Sequence, residues 1–282
     1  MSDAWNWGTV FYRPEMVVDA GSFSNSPSKP KLVVEAWRKK WRDLAVESFL
    51  SIQQSDLYAV HDKQYVDAVF ALTESNGFGT CSKQVNDSLL YTCGSMVAAA
   101  RYALDTGKVG ISPTSGFHHA GWDFNSGFCT FNALVLVARE AVKRGCRVLI
   151  LDCDQHEGDG SEDILSVLVL REVKHVTLGK MFHSPIHAKE YIAMLRGMRD
   201  AGWFRSVDFV IYQAGADVHI DDPLGGVLTT KEMKERDQIV FEGVREAGIP
   251  CLWTLAGGYS TPISKVVRLH VNTMQACIQV FQ

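Results

Sequence analysis

The sequence predicts an α/β fold: a mostly parallel central sheet with helices on both faces. Short apolar runs such as "RVLIL", "DFVIYQ" and "IPCLWTLA" recur without polar alternation, as strands buried on both faces do. Segments of helical periodicity separate them, and strands alternating with helices argue for parallel pairing. Hydrophobic residues make up 46% of the chain and charged residues 21%, enough apolar surface to cover a sheet twice. No internal repeat, low-complexity tract or long linker interrupts the pattern, so residues 1–282 read as one domain.

Taken in order, the stretch "AGSFSNSPSKPKL" (20–32) is rich in Ser, Pro and Gly and reads as a surface connection. Helical periodicity follows over 33–52, and 55–73 supplies a second helix. Residues 88–108 form a third, ending near Gly107. The strand "KVGIS" (108–112) then opens the alternating region, with a polar loop over 113–128 and a helix over 131–145. "RVLIL" leads into "DCDQHEGDG" and a helix over 159–170; "HVTLG" (175–179) is a further strand. "DFVIYQ" leads into "AGADVHIDDPLGG" and a helix over 231–248. "IPCLWTLA" leads into "GGYSTP" and a closing helix over 264–281. Four strands thus run into loops carrying His, Asp or Tyr. In a parallel sheet these loops share the carboxyl edge, where sites form.

Bulk properties exclude several classes. The net charge is −4 with no block of Lys or Arg, so no nucleic-acid footprint is expected. "MSDAWNWGTVFYRPEM" has no basic n-region and no apolar h-region, which argues against a signal peptide. No apolar run approaches the roughly 18 residues of a membrane span. The seven cysteines, Cys81, Cys93, Cys129, Cys146, Cys153, Cys251 and Cys277, form no C-x-x-C pair, as for free thiols in a reducing cytoplasm.

The chemistry concentrates at strand ends. In "VLILDCDQHEGDG" a buried strand ends in carboxylates around a histidine, costly unless a metal or proton transfer holds them together. In an extended segment Asp152, Asp154 and His156 share one face. Asp154 and His156 suit a hard or borderline metal, and Asp217 of "GADVH" offers a third ligand. Such a set leaves the open position a catalytic zinc needs. Oxygen and nitrogen ligands accept ferrous iron as well. The competing reading makes these residues N-caps of the next helix.

"GFHHAGWDFNSGF" carries His118 and His119 in a Gly-flanked loop, where they can act as base and acid beside a metal-activated water. Asp152 and Asp159 can orient them and fix their tautomers. In "LAGGYS", Tyr259 is placed to donate a hydrogen bond to a developing oxyanion. Adjacent histidines or a core tyrosine alone would carry little weight; the four loops together carry it.

These motifs together resemble the zinc-dependent histone deacetylase family, in particular a compact bacterial-type amidohydrolase with the arginase/deacetylase fold. The resemblance runs from "VHDKQYVDAV" to "VRLHVNT" and is strongest between Gly116 and Tyr259. "GFHHAGWDFNSGFCTFN" is similar to the family's His-His loop, "DCDQHEGDG" to D-x-D-x-H-x-G-x-G, "GADVHIDDPLGG" to G-x-D followed by D-P-L-G, and "GGYS" to G-G-Y.

The resemblance implies zinc on Asp154, His156 and Asp217, with His119 as general base and acid backed by Asp159. His118, backed by Asp152, would assist, and Tyr259 would stabilise the oxyanion. Phe128 would line a tunnel for the lysine stem, beside Gly127. A structural potassium would sit at Asp152, the backbone of Asp154 and His156, Thr177 and Leu178. Arg13 would match an arginine near an exit cavity. The implied reaction is hydrolysis of an acyl-lysine amide.

Departures from the family pattern are visible. Glu157 stands where many members carry a second His. The segment "TLGKMFHSP" is short, which leaves Phe182 as the second tunnel phenylalanine and points to a more open pocket. Leu224 stands where polyamine deacetylases carry a Glu, which favours acyl-lysine over an acylated polyamine. His219 is assigned a loop or supporting role, and His61, His175, His183, His187 and His270 structural ones. Peptide, protein, small acylated amine and longer acyl chain stay open as substrates. The alternatives are a two-metal ureohydrolase, a silent acyl-lysine binder, and a cysteine hydrolase using Cys129.

Overall fold

Strands β1 (Gly8–Phe11), β2 (Val46–Glu47), β3 (Val109–Ser112), β4 (Val148–Asp152), β5 (Val173–Thr177), β6 (Phe209–Gln213) and β7 (Cys251–Thr254) form one sheet. Its order is β2-β1-β3-β7-β6-β4-β5, and every pair is parallel. The structure is a computed structural model that describes residues 5–22, 24 and 26–282. Among those residues the helices are α1 (Lys29–Lys40), α2 (Gln54–Leu57), α3 (Lys63–Phe70), α4 (Lys83–Thr106), α5 (Ala133–Lys143), α6 (Asp159–Leu168), α7 (Ala188–Asp200), α8 (Thr230–Ala247) and α9 (Ser264–Phe281).

Strand periodicity divides the apolar residues between two cores. In β4, Leu149 and Leu151 join Trp37, Tyr191, Phe241 and Trp253 beneath α1, α7, α8 and α9. Val148 and Ile150 face the other way, with Met96, Phe131 and Val135 beneath α4 and α5. Each such fully buried side chain contributes about 1.5–3 kcal/mol of transfer free energy. Polar signals end the helices. Ser82 Oγ accepts from Val85 N ahead of α4, and Gly107 closes that helix at φ +73°. Thr229 and Glu232 form a capping box for α8, which ends at left-handed Gly248.

The predicted fold class holds, and the strands of the alternating region fall where the sequence placed them except β5, which runs Val173–Thr177 rather than 175–179, since Leu178–Lys180 form a 3-10 turn. The amino-terminal third needs correction. The helical pattern over 33–52 stops at Lys40; Val46–Glu47 instead pairs with β1 through Val10↔Val46 and Phe11↔Glu47. Sheet pairing overrides local periodicity there. The helix over 55–73 is broken in two, because Asp62 caps α3 by accepting from Gln64 and Tyr65 amides. The stretch 20–32 is no plain surface connection: Ala20, Ser24, Ser26, Lys29 and Pro30 are buried, and α1 begins at Lys29. Phe23 and Asn25 of that stretch lie outside the described residues. Strand β1 and helix α7 have no counterpart in the sequence reading.

Candidate metal centre and active site

The four loops with chemical side chains leave β3, β7, β6 and β4, which are consecutive in the sheet. The register aligns their ends: Ser112 with Thr254, Thr254 with Gln213, and Gln213 with Asp152. The loops therefore converge, as a parallel sheet requires.

Asp154, His156 and Asp217 each offer a ligand atom, and these atoms all lie within 4.8 Å of one another. His156 Nδ1 is 3.1 Å from Asp154 Oδ1 and 3.2 Å from Asp217 Oδ2. Backbone amides fix both carboxylates: Gln155 N donates to Asp217 Oδ1, and His156 N and Gly257 N donate to the two oxygens of Asp154. A Cβ on Gly257 would lie 2.1 Å from Asp217 Oδ2 and 2.8 Å from Asp154 Oδ2, so only glycine fits behind the pair.

The electrostatics of the three residues are strongly linked. Burial, then the Asp154 charge, raise the Asp217 carboxyl. Asp154 is held well below the usual carboxylate range: burial opposes this, but His118 and His156 outweigh it. Hydrogen bonds to Asp154 and Asp217 raise His156 to about 10. Two buried carboxylates and one imidazole fit a divalent zinc or iron ion.

The two loop histidines have separate partners. His118 Nδ1 is 2.7 Å from Asp152 Oδ2, and His119 Nδ1 is 2.6 Å from Asp159 Oδ1. Burial alone would lower His118, but Asp152 and then Asp154 raise it to about 9. Burial, then the His118 charge, lower His119. Gly127 lets its loop lie against His119, since a Cβ there would be 2.5 Å from the ring Cδ2. The next residue, Phe128, holds φ +65°, a conformation that favours glycine, at the site itself. Its ring centroid is 5.8 Å from that of Tyr259. Burial, reinforced by Asp217, raises the Tyr259 phenol, which stays protonated as a donor.

Other sequence-predicted residues fall in related places. Asp152 and Thr177 are register partners; Thr177 Oγ1 accepts from Gly158 N, and Leu178 is buried beside it. Gln155 Nε2 donates to Phe182 O at 3.2 Å, and the Phe182 ring rests on Tyr191 and His187. Leu224 is 40% exposed on the β6 loop. His219 is engaged by Thr230 at 2.8 Å, in keeping with a loop role. Glu157 pairs with Lys180 at 2.6 Å. Cys129 is buried, and burial pushes its thiol up to about 12, which leaves no thiolate nucleophile.

Sequence reasoning missed one residue near the centre. Lys29 is wholly buried, donates from Nζ to Ala256 O at 2.6 Å, and stands 5.9 Å from the Tyr259 ring centroid. Burial lowers it to about 8 against the pull of Asp217, Asp154 and Asp222. Arg13, expected near an exit cavity, is held by Glu15, Phe49 O and the Tyr91 ring. His175, read as structural, has its buried Nε2 4.0 Å from Asp152 Oδ2 while Nδ1 faces Glu162.

Comparison with known proteins follows this geometry. A family model described as histone deacetylase domain matches residues 24–191 and 174–274. An uncharacterized protein of Picosynechococcus sp. is 28% identical over 211 residues, 68% of this chain and 69% of that protein. Histone deacetylase 2 of Arabidopsis thaliana is 27% identical over 266 residues, 82% of this chain and 67% of that protein. The crystal structure of the HDA15 HD domain shares the fold, with a TM-score of 0.77 over 98% of this chain and 88% of that one, at 20% identity. Among the described residues no helix is long and apolar enough to cross a membrane.

Proposed function

The chain belongs to the histone deacetylase family, and we propose that it removes acetyl or another acyl group from the side-chain amine of lysine with a single zinc ion. The observation that carries this is one base oriented toward one ligand. His119 is fixed on its Nδ1 side by Asp159, with its ring centroid 5.9 Å from that of His156.

Asp154, His156 and Asp217 would hold the ion, which when bound polarises the acyl carbonyl and lowers the pKa of water. The neutral imidazole of His119 donates Nδ1–H to Asp159 and so presents Nε2 as the acceptor for the water's proton. Tyr259 donates its phenolic proton in a hydrogen bond to the developing oxyanion. His118, protonated beside Asp152, adds positive charge next to that reaction. Protonated His119 then returns its proton to the leaving amine. Phe128 and Phe182 are assigned to the lysine stem and Leu224 to the rim, where an apolar residue gives a cationic polyamine no counter-charge. Potassium is assigned to Asp152, Thr177 and Leu178 with the backbone of Asp154 and His156, as the family resemblance implies; Asp152 and Thr177 are register partners.

The test is acetate release from an acetyl-lysine peptide by zinc-loaded protein, with His119→Ala alongside. Turnover lost in the variant is expected. No turnover on acetyl-, butyryl- or longer acyl-lysine peptides, with one zinc bound, would sink the proposal.

A further inference from the structure

Behind the carboxylate ligands lies a second charged pair that the reaction does not use. Arg236 and Asp237, adjacent on α8, are 0% and 1% exposed. Arg236 Nε and Nη2 lie 2.9 and 2.8 Å from Asp237 Oδ1. Desolvating two charges costs about as much as their attraction returns, so a buried pair is weak evidence for stability. What the guanidinium touches is more informative.

Arg236 Nη1 donates to Gly215 O at 2.7 Å and lies 3.3 Å from Cys153 O. Both carbonyls lie just beyond the strands, since β4 ends at Asp152 and β6 at Gln213. Cys153 immediately precedes Asp154, and Gly215 is two residues before Asp217. The two chain ends are pressed together there: a Cβ on Gly215 would lie 2.6 Å from Asp154 Cα and 2.8 Å from Asp217 Oδ1. The far side of the pair is anchored, because Asp237 accepts from Tyr212 on β6 and from Thr273 on α9.

We infer that Arg236 is a positioning residue that sets the separation of Asp154 and Asp217 by binding the carbonyls ahead of both. This rests on the reading that these carboxylates hold a divalent ion. A lysine would keep the charge and lose the planar fork. Residues behind metal ligands typically control affinity by 10–100-fold.

The experiment compares the full-length wild type with Arg236→Lys and with the uncharged pair Arg236→Met/Asp237→Asn. Zinc affinity is read by chelator competition, ligand geometry by the visible absorption of the cobalt-substituted protein, and folding by circular dichroism on heating. Folded variants should bind zinc at least tenfold more weakly and give a shifted cobalt band. A lower melting temperature with unchanged affinity and cobalt band would overturn the inference. So would failure of both variants to fold, which would make the pair purely structural. Absence of zinc from the wild type would instead remove the metal reading itself.

Discussion

The His118 and His119 rings stand 4.1 Å apart, yet each turns its Nδ1 to a different carboxylate, one buried and one exposed. Their protonation separates: Asp152 and Asp154 outweigh burial and raise His118 to about 9, while burial and the His118 charge hold His119 below the ordinary imidazole value of 6.5. Between those limits one ring is a cation and its neighbour a neutral base. Paired titratable groups driven apart in this way mark an acid–base assignment.

The pH profile of kcat/KM follows from that split. Activity should rise with pH through a value below 6.5, as His119 loses its proton, hold a plateau, and fall again near 9 as His118 loses its own. Asp159 raises His119, so Asp159→Asn should move the acid limb to lower pH. The plateau should also drop by roughly tenfold, because nothing then fixes the tautomer. An acid limb unmoved in the variant would contradict the assignment of His119.

Gly257→Ala should abolish zinc binding while leaving a folded protein. The added methyl would sit 2.1 Å from Asp217 Oδ2. Overpacking of this kind typically costs about 1–3 kcal/mol. Metal analysis after dialysis, with a melting curve of the apoprotein, separates the two effects.

His61 should make the fold acid-sensitive. Its ring is buried, with Nδ1 2.8 Å from Gly121 O and Nε2 accepting from Asn132 N at 2.8 Å. Burial lowers it to about 4 from 6.5. A folded-state value below the unfolded one gives stability that is fully present above about 6.5 and lost as pH falls toward 4. The loss is about 3 kcal/mol. Urea unfolding at pH 7 and at pH 4.5 should show about 2 kcal/mol of that loss, and His61→Gln should remove most of it.

Lys29→Met should loosen the Tyr259 loop. It leaves the Ala256 carbonyl without its donor, at a residue whose φ is +64°. An orphaned buried acceptor costs about 1–3 kcal/mol. Urea titration should show a loss of that size, and kcat should fall further than KM rises. Unaltered kcat would mean that Lys29 only fills space.

The parts of the site that were legible lie within one loop each. Asp154 and His156 are two residues apart, His118 and His119 adjacent, and Tyr259 follows two glycines. Spacing carried them because a strand end turns short separations into short distances. Lys29 was illegible for the opposite reason: it meets Ala256 across 227 residues, from a Pro-containing segment that reads as solvent-facing. Arg236 sits in a charged helical run, "KEMKERDQ", where nothing distinguishes a buried arginine from solvated neighbours. Strands β1 and β2 are four and two residues long, too short to show a period.

The side-by-side origin of the four loops has a consequence for quality control. Each strand end must be in register with the next, Ser112 to Thr254 to Gln213 to Asp152, before the donors meet. A slip of one residue in β4 would turn Asp152 and Asp154 to the opposite face. A chain misassembled in that way would not bring the donors together. On the proposed metal reading, metal content per chain would serve as an assay of correct folding, independent of any substrate.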